Sequence, residues 1–410
     1  MGLYEDAQTI IQEALAAVQP GAAVRRALER MPRKSGRLVL IAAGKAAWEM
    51  ADAAHAVLGN RLDSGTVITK YGHSRGPIGN LAIYEAGHPV PDEHSFEATQ
   101  AALTCVQNLT EADTVLFLLS GGGSALFEWP LIPGAELADI TRQLLRGGAS
   151  IVEINTIRKR LSAVKGGKFA QACAPASVFS VVLSDILGDP LDSIASGPAY
   201  PDATTCADAL RIAKTYDLQL SEAARRCLET ETPKHLTNVE THITGSVRQL
   251  CASAEQTCRQ LGYHPLILTS QLDGEARETG RFLAAIAREY AGTGTPMAFI
   301  AGGETVVHVT GSGLGGRNQE LALAAAAGMD GLSGVLLFSV GSDGTDGPTD
   351  AAGGWVDGET AGRLRALGQS IDTILADNDA YHALKSCGGL IVTGPTGTNV
   401  NDLSVLLVRS

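Results

Sequence analysis

The sequence has little that would tie it to nucleic acid, to a membrane or to an oxidising compartment. Its 32 Lys and Arg residues are outnumbered by 44 Asp and Glu, which gives a formal net charge of −12. A protein that neutralises nucleic-acid phosphates needs a basic face. No apolar run reaches the ~20 residues that span a bilayer, and the N-terminus lacks the basic segment of a signal peptide. These absences favour a soluble, cytoplasmic protein that acts on small molecules.

Common catalytic and metal-binding signatures are also missing. The 7 cysteines include no C-x-x-C pair, and their odd number favours free thiols in a reducing compartment. Cys251 and Cys258 are expected to be core thiols on one helix. Neither a Walker-type G-x-x-x-x-G-K-[ST] motif nor the protein-kinase signature set is present. A kinase with this sequence would therefore not be of a common design.

What the sequence does have is 47 glycines, gathered in clusters between apolar runs and Ala-rich helices. This alternation predicts an α/β protein with a largely parallel sheet. A polar stretch near residues 229–240 is a plausible linker, so we predict domains at 1–236 and 237–410. The sequence leaves open whether the last strand returns to the sheet of the first domain. Strands are predicted at residues 37–43, 66–70, 81–86, 114–120, 177–185, 241–246, 263–270, 296–303, 305–311, 334–343 and 402–410.

Two glycine-containing turns follow predicted strands of the first domain, at the sheet edge where α/β proteins bind ligands. In AAGKAA, Lys45 falls in the first turn of a helix, where the helix dipole disfavours a cation unless an anion is also bound. A lysine that only reaches into solvent is the alternative. The second turn could hold phosphate on its N–H groups, or could be a tight turn without a ligand. Its residues are Gly121, Gly122, Gly123 and Ser124.

Acidic loops follow two other predicted strands. Asp185 and Asp189 lie close together after one of them, a pattern that suits Mg²⁺, whereas Asp192 could simply cap a turn. Asp343 and Asp346, with Asp350, form a second acidic loop in GSDGTDGPTD. That loop is either a metal or base site, or a solvated turn of the residues that turns prefer.

The segment GSGLGGRNQE, residues 311–320, satisfies G-x-G-x-x-G between a predicted strand and a predicted helix. A dinucleotide site is one interpretation, but no acidic residue ends a strand about 20 residues further on. Arg317 directly follows the last glycine, again at a helix start where a cation needs an anion. We therefore interpret Arg317, with Gly313, Gly315 and Gly316, as a clamp for a phosphoryl group or a carboxylate.

Two further segments contain candidate side chains. Arg158, Lys159 and Arg160 are expected to lie mostly on a solvated helix face. Lys165 and Lys168, which bracket a Gly-Gly pair, are better candidates for binding an anion. The histidines His88 and His94 of AGHPVPDEHS are interpreted as structural rather than catalytic.

Seven motifs follow one another in order along the chain: AAGKAA, AGHPVPDEHS, LLSGGGSAL, LSAVKGGK, SDILGDPLDSIASGP, GGRNQELAL and GSDGTDGPTDAAG. Taken together, they resemble those of the class II glycerate kinases, the glycerate 2-kinases of the MOFRL family, from about Ile10 to the C-terminus. The resemblance implies a Rossmann-like αβα N-terminal domain, a smaller α/β C-terminal domain and an active site in the interdomain cleft. It implies phosphorylation of D-glycerate to 2-phosphoglycerate with ATP and Mg²⁺, with Lys45 and Arg317 as the key cations.

With that resemblance, the candidate residues take defined roles. Lys45, Arg317 and Asp185 would be catalytic, the two glycine loops and Lys165 would bind ATP, and three aspartates would bind the metal. Those three are Asp189, Asp343 and Asp346. An NAD(P)H-dependent hydroxypyruvate reductase and a non-catalytic sugar-acid or nucleotide-binding protein are the alternatives. No nucleic-acid or membrane partner is expected, and a homodimer is a fair expectation.

Overall fold

The computed structural model describes residues 2–409, which divide into two compact units. The first, here called the Rossmann-like unit, contains residues 20–184 and 189–244. The second, called the mixed-sheet unit, contains residues 2–19, 185–188 and 245–409. Each unit is built on one six-stranded sheet, so the predicted two-domain α/β architecture is confirmed.

The helices and strands alternate along most of the chain. The helices are α1 (Leu3–Ala17), α2 (Pro20–Leu28), α3 (Ala47–Leu58), α4 (Glu93–Cys105), α5 (Gly123–Leu126), α6 (Gly134–Arg146), α7 (Ile151–Leu161), α8 (Lys168–Cys173), α9 (Cys206–Thr215), α10 (Glu222–Leu228), α11 (Val247–Gln260), α12 (Ala276–Tyr290), α13 (Arg317–Met329), α14 (Thr360–Ala366), α15 (Ile371–Ala376) and α16 (Ala380–Ser386). The strands are β1 (Leu38–Ala43), β2 (Ser64–Lys70), β3 (Ala82–Ala86), β4 (Thr114–Leu119), β5 (Ser177–Leu183), β6 (Val239–Gly245), β7 (His264–Leu272), β8 (Met297–Gly303), β9 (Val335–Gly341), β10 (Gly353–Asp357), β11 (Leu390–Ile391) and β12 (Asp402–Val408). None of the helices within residues 2–409 has both the length and the apolar character that crossing a bilayer requires.

The sheet of the Rossmann-like unit has the strand order β3-β2-β1-β4-β5-β6. The pairs from β3 through to β5 are parallel. This is the strand order of the Rossmann fold. Every residue of β1 and β4 is buried, because helices cover both faces of such a sheet, and this explains why these strands are continuous apolar runs. The carboxyl ends of β3, β2, β1 and β4 therefore lie side by side.

The sheet of the mixed-sheet unit has the order β11-β10-β9-β12-β8-β7. Here the β7–β8 pair is parallel and the other strand pairs are antiparallel, including those that β12 makes with β8 and β9. The prediction of a largely parallel sheet is therefore wrong for this unit. The last strand pairs within this sheet and does not return to the Rossmann-like unit.

The division of the chain differs from the predicted boundary after residue 236 in three ways, one of which is that residues 185–188 belong to the mixed-sheet unit. Strand β6, predicted to open the second domain, is the edge strand of the Rossmann-like sheet. Helix α1 belongs to the mixed-sheet unit, where its Ile10 and Ala14 share a core with Leu250 of α11. The Tyr263 hydroxyl also donates to Asp6 of α1 over 2.7 Å. An amphipathic helix carries no sequence mark of the sheet on which it packs, so the placement of α1 could not be read from the pattern.

Cys251 and Cys258 are core thiols, as expected. Both are buried on α11, and burial raises the pKa of each thiol to about 12. Neither thiol is therefore a reactive nucleophile at neutral pH.

Candidate functional site

The carboxyl edge of the Rossmann-like sheet gathers basic side chains. Lys45 follows β1, Lys70 ends β2, His73 lies three residues further on, and His88 follows β3. The glycine turn that starts at Gly121 follows the neighbouring strand β4. In a protein with a net charge of −12, the two lysines at this edge favour the binding of an anion there.

Lys45 is locked to the glycine turn through its main chain. Its N–H donates to the Gly121 carbonyl over 2.8 Å, and the next N–H donates to Ser120 Oγ over 3.0 Å. Gly122 has a φ of +86°, and a Cβ there would lie 3.2 Å from Lys45 Cγ. Across residues 2–409 the Lys45 ammonium has no hydrogen bond or ion pair. The predicted cation is therefore present, held in place and available to a ligand. It does not lie in the first turn of a helix as predicted, because α3 begins only at Ala47 and Lys45 belongs to the turn before it.

The glycine turn itself offers fewer free N–H groups and a weaker helix dipole to a phosphate than predicted. Helix α5 has only 4 residues, too few to present a strong dipole, and the Gly123 N–H is used by the Ser120 carbonyl over 3.3 Å. A Cβ at Gly123 would lie 2.8 Å from the Ala195 Cβ, so close packing explains that glycine. The Ser124 hydroxyl is 3.2 Å from the Ser196 hydroxyl, within the same unit. The ligand-binding role of this turn stays a prediction.

Lys165 is fully buried and does not offer its charge to solvent. Its ammonium donates to the carbonyls of Ser124 over 2.9 Å and Phe127 over 2.8 Å, and lies 3.3 Å from the Glu128 carboxylate. Burial lowers the pKa of Lys165 to about 8, against the opposing effect of Glu128. In this arrangement Lys165 fixes the main chain behind the glycine turn, so it is not the anion contact that the sequence suggested.

The basic run on α7 is mostly internal, and the expectation of a solvated face is wrong for Lys159 and Arg160. These residues are 2% and 1% exposed, and their charged groups lie 3.2 Å and 3.5 Å from the Asp202 carboxylate. Asp192 accepts a hydrogen bond from the same Lys159 over 3.4 Å. The Lys168 ammonium donates to main-chain carbonyls at the end of α7, including that of Ser162 over 2.6 Å. These groups stabilise the unit and are not free to bind a ligand.

The mixed-sheet unit contains a cavity of about 770 Å³ beside the start of α13. Its lining includes one arginine and several carboxylates, so it is acidic overall. Lining residues include Glu304, Gly313, Gly315, Gly316, Arg317, Glu320, Asp343, Asp346 and Asn378. A polyanion in this cavity would meet net negative charge unless cations accompany it.

Arg317 does line this cavity, but both edges of its guanidinium are already paired. Nε and NH2 bond the Asp402 carboxylate over 2.6 and 3.1 Å, and NH1 bonds Glu304 Oε1 over 2.7 Å. Burial acts to lower the pKa of Arg317, but Asp402 and Glu304 outweigh it and raise the pKa above its ordinary value. Glu304 is half-exposed, whereas Asp402 is buried. A ligand could therefore replace Glu304 far more readily than Asp402.

Asp346 caps helix α13 and does not fit a metal ligand. Its Oδ1 accepts the Asn318 N–H over 3.1 Å and its Oδ2 accepts the Gln319 N–H over 2.9 Å. Gly316 packs directly on this carboxylate, where a side chain could not fit. Burial raises the pKa of Asp346 to about 6, against the lowering effect of the N–H donors. Both oxygens are thus committed to the helix start.

Two other predicted aspartates, Asp343 and Asp189, each have a carboxylate oxygen that is not used in capping a helix. Asp343 Oδ1 accepts the Thr345 N–H over 2.9 Å in a local turn and lies at the cavity. Asp189 has a φ of +54°, and its Oδ1 is buried with no hydrogen-bond partner among the described residues. Asp185 follows β5, and its main-chain carbonyl accepts from Asn401 Nδ2 over 3.4 Å. The described part of the chain contains no group of three or more His, Cys, Asp or Glu side chains that could hold a metal.

The G-x-G-x-x-G segment lacks the context of a dinucleotide site. Residues 305–311, predicted as a strand, form none. The Gly311 N–H donates to Asn378 Oδ1 over 3.0 Å and the Gly313 N–H donates to the Asp377 carbonyl over 2.8 Å. The Leu314 N–H donates to Asp379 Oδ1 over 2.9 Å. Because the turn at residues 377–379 uses these N–H groups, they are not directed at a pyrophosphate.

Several residues of these two sites were not singled out from the sequence. Lys70 and His73 end or follow a short strand, and Glu304 and Asp402 flank the ends of strands β8 and β12. Only their position beside strand ends distinguishes them in the sequence, and many surface residues share that feature. Their involvement follows from the strand order, which pattern alone does not give.

Comparison with known proteins matches both halves of the chain. Residues 6–229 match a family described as a domain of unknown function, DUF4147, and residues 297–402 match the MOFRL family. A D-glycerate 2-kinase of Thermotoga maritima is 53% identical over 97% of each chain. A crystal structure of a glycerate kinase from the same organism superposes with a TM-score of 0.95, covering 99% of each chain. A relative from Agrobacterium vitis that bears the name of a hydroxypyruvate reductase is 40% identical, over 97% of this chain and 93% of its own.

Proposed function

Since the chain belongs to the glycerate 2-kinase family with its MOFRL domain, we propose that it phosphorylates the 2-hydroxyl of D-glycerate with ATP. The reaction joins the hydroxyl oxygen to the γ-phosphorus, breaks the bond from that phosphorus to ADP and releases the hydroxyl proton. The observation that carries the proposal is the arrangement of Lys45 at the carboxyl edge of the Rossmann-like sheet. There an ammonium without an internal partner lies beside the turn at Gly122.

Lys45 would supply positive charge to an anionic group of a substrate. Phosphoryl transfer depends mainly on positioning and on neutralising charge, so a fixed, unpaired cation is the group that it needs. The main-chain bond from Lys45 to Gly121 holds the lysine and the turn together. Both would therefore meet the same ligand.

Arg317 would act through its NH1 edge. Asp402 holds the opposite edge and fixes the plane of the guanidinium, while the half-exposed Glu304 occupies NH1. A phosphoryl or carboxylate oxygen that replaced Glu304 would gain a charge-assisted hydrogen bond to an already oriented donor. Gly315 and Gly316 would let that ligand approach the start of α13.

Mg²⁺ belongs to the proposal, and the aspartates differ in how well they fit it. Protein Mg²⁺ sites usually use one or two carboxylates together with substrate phosphates. Asp343, with one oxygen in a turn bond, and Asp189, with a buried unpaired oxygen, fit that role. Asp346 does not, because the start of α13 uses both of its oxygens. Bound Mg²⁺ would neutralise charge on the phosphates, and Asp185 would accept the proton of the hydroxyl.

The direct test is to incubate the purified protein with ATP, Mg²⁺ and D-glycerate and to identify the product. We expect 2-phosphoglycerate, and we expect Lys45→Ala to lower kcat/KM by at least ~100-fold while the circular dichroism spectrum is unchanged. Lys214→Ala, on an exposed helix position, is the matched control. Absence of phosphorylated product from D-glycerate would refute the proposal. Turnover would also exclude a non-catalytic binding protein.

The reductase alternative rests on the name of the Agrobacterium relative and on the G-x-G-x-x-G spelling. The absence of a strand before that segment speaks against a dinucleotide site there. Absorbance at 340 nm, followed with hydroxypyruvate and NADH or NADPH, tests it. We expect no oxidation of either cofactor. The cytoplasmic location and a homodimer stay predictions.

A further inference from the structure

His88 is a half-buried imidazole beside Lys45 to which the proposed reaction has given no role. It follows β3 at the same sheet edge. A Cβ built on Gly122 would lie 3.0 Å from His88 Cδ2, 3.1 Å from His88 Nε2 and 3.2 Å from Lys45 Cγ. The imidazole and the lysine stem therefore flank one point above Gly122. Glycine keeps that point open.

The His88 ring has no hydrogen-bond partner among the residues that the structure describes, unlike two neighbouring histidines. His73 Nδ1 is 3.1 Å from the Lys45 carbonyl, and His94 Nδ1 is 2.5 Å from the Tyr71 hydroxyl. Polar groups that are removed from water usually have a partner. The ring atoms of His88 thus have unused hydrogen-bonding capacity next to an unpaired ammonium.

The surroundings of His88 keep its ring uncharged. Burial lowers its pKa, and the positive charges of Lys45, Lys70 and His73 lower it further. The carboxylate on its own loop, Asp92, is engaged by the Tyr71 hydroxyl over 2.7 Å and the Ser95 N–H over 3.0 Å. A neutral imidazole carries one N–H donor and one acceptor nitrogen, a combination that lysine cannot supply.

We propose that His88 contacts the hydroxy-acid substrate, hydrogen-bonding its 2-hydroxyl while the Lys45 ammonium binds its carboxylate. The inference rests on the proposed function, because it assigns the two polar groups of the acceptor substrate to two side chains of one site. A carboxylate requires charge, which Lys45 supplies. A hydroxyl both donates and accepts, which matches a neutral imidazole. The site would therefore select small acids that carry a hydroxyl next to the carboxylate.

Calorimetric binding in the presence of Mg²⁺ and a non-hydrolysable ATP analogue tests the inference. The two ligands are D-glycerate and 3-hydroxypropanoate, which keeps the carboxylate but lacks the 2-hydroxyl. We expect His88→Ala to weaken D-glycerate binding by about 3–10-fold, the worth of one hydrogen bond, and to leave 3-hydroxypropanoate within about twofold. Lys45→Ala should weaken the binding of both ligands. His88→Gln, which keeps a donor and an acceptor, should lose less affinity for D-glycerate than His88→Ala.

His94→Gln is the matched control, because His94 lies on the same segment and bonds Tyr71 instead. It should leave both affinities within about twofold of wild type, which is the range expected for a surface substitution without a functional role. Equal weakening of both acids by His88→Ala, or no weakening of either, would overturn the inference, as would a wild-type protein that binds neither acid. D-glycerate binding that depends on His88 without any turnover would refute the proposed function and still support the inference.

Discussion

Arg317 and Asp402 form an ion pair with two hydrogen bonds, over 2.6 and 3.1 Å, between the first residue of α13 and the first residue of β12. They are 85 positions apart in the sequence. The carboxylate is buried, and burial raises its pKa, against the lowering effect of Arg317. The pair therefore ties the start of α13 to the beginning of β12, a central strand of its sheet. It also determines the orientation of the guanidinium at the cavity.

Lysine should not be able to replace Arg317, so Arg317→Lys should lower activity. A lysine cannot bridge Asp402 through two parallel bonds and also reach a third acceptor. We expect kcat/KM for D-glycerate phosphorylation to fall by at least ~10-fold, which corresponds to about 1.4 kcal/mol. Arg281→Lys, which changes an exposed arginine paired with Glu278, is the control. Steady-state rates of Arg317→Lys within twofold of wild type would contradict the role given to Arg317.

Glu304→Gln should strengthen substrate binding at Arg317. The Glu304 carboxylate competes with an incoming anion for NH1, and a neutral amide competes less well. We expect the KM of the substrate that contacts Arg317 to fall by about 2–5-fold, with kcat little changed. Separate titrations of ATP and D-glycerate would identify that substrate. A rise in both KM values would show that Glu304 itself contacts a ligand or its metal.

Lys165→Met should destabilise the Rossmann-like unit strongly. Among the residues that the structure describes, the substitution leaves the buried Glu128 carboxylate with Arg158, at 3.8 Å, as its remaining charged partner. Breaking a buried pair from one side costs about 3–5 kcal/mol. Urea unfolding of the variant and of Lys165→Met/Glu128→Gln measures this, and the double variant should recover part of the loss. Lys214→Met, at an exposed lysine, should change the free energy of unfolding by less than ~0.5 kcal/mol.

Asp346 should make stability depend on pH in a defined direction. Its pKa of about 6 in the folded chain exceeds its unfolded value, so the folded chain holds more protons between about pH 4 and 6. The free energy of unfolding contributed by this group therefore falls as pH rises through that window. We expect the difference between wild type and Asp346→Asn to show this slope in urea unfolding. If the difference rose with pH instead, the N–H donors would lower the pKa of Asp346 by more than burial raises it.

Much of the fold was predictable because buried strands are continuous apolar runs. Strands β1, β4, β9 and β12 lie within two residues of their predicted positions, and the alternation of strands and helices indicated the α/β class. Strand β10 was missed because it opens with two glycines, residues that strand patterns exclude. Gly353 is required there, since a Cβ would collide with the Ser339 carbonyl of β9. That collision depends on pairing, which a local pattern does not contain.

The candidate site was predictable in part for a similar reason. Lys45 could be identified because a cation at a predicted helix start is visible within a few residues of sequence. In residues 2–409 its ammonium has no partner. Lys159 and Lys165 were misinterpreted because their partners, Asp202 and Glu128, are about 40 residues away. Sequence shows where charge lies along the chain. Whether that charge is neutralised depends on contacts made elsewhere.

The position of β12 between β8 and β9 has a consequence for synthesis on the ribosome. All of the Rossmann-like unit precedes residue 245, so it can form while the rest of the chain is being made. The mixed-sheet unit cannot, because β12, a middle strand of its sheet, is synthesised after every other strand. Helix α1 is synthesised early, but the residues that cover its apolar face are synthesised much later. During that interval the exposed edges of β8 and β9 are open to pairing with other chains. Chaperone demand during translation should therefore concentrate on the second half of the chain.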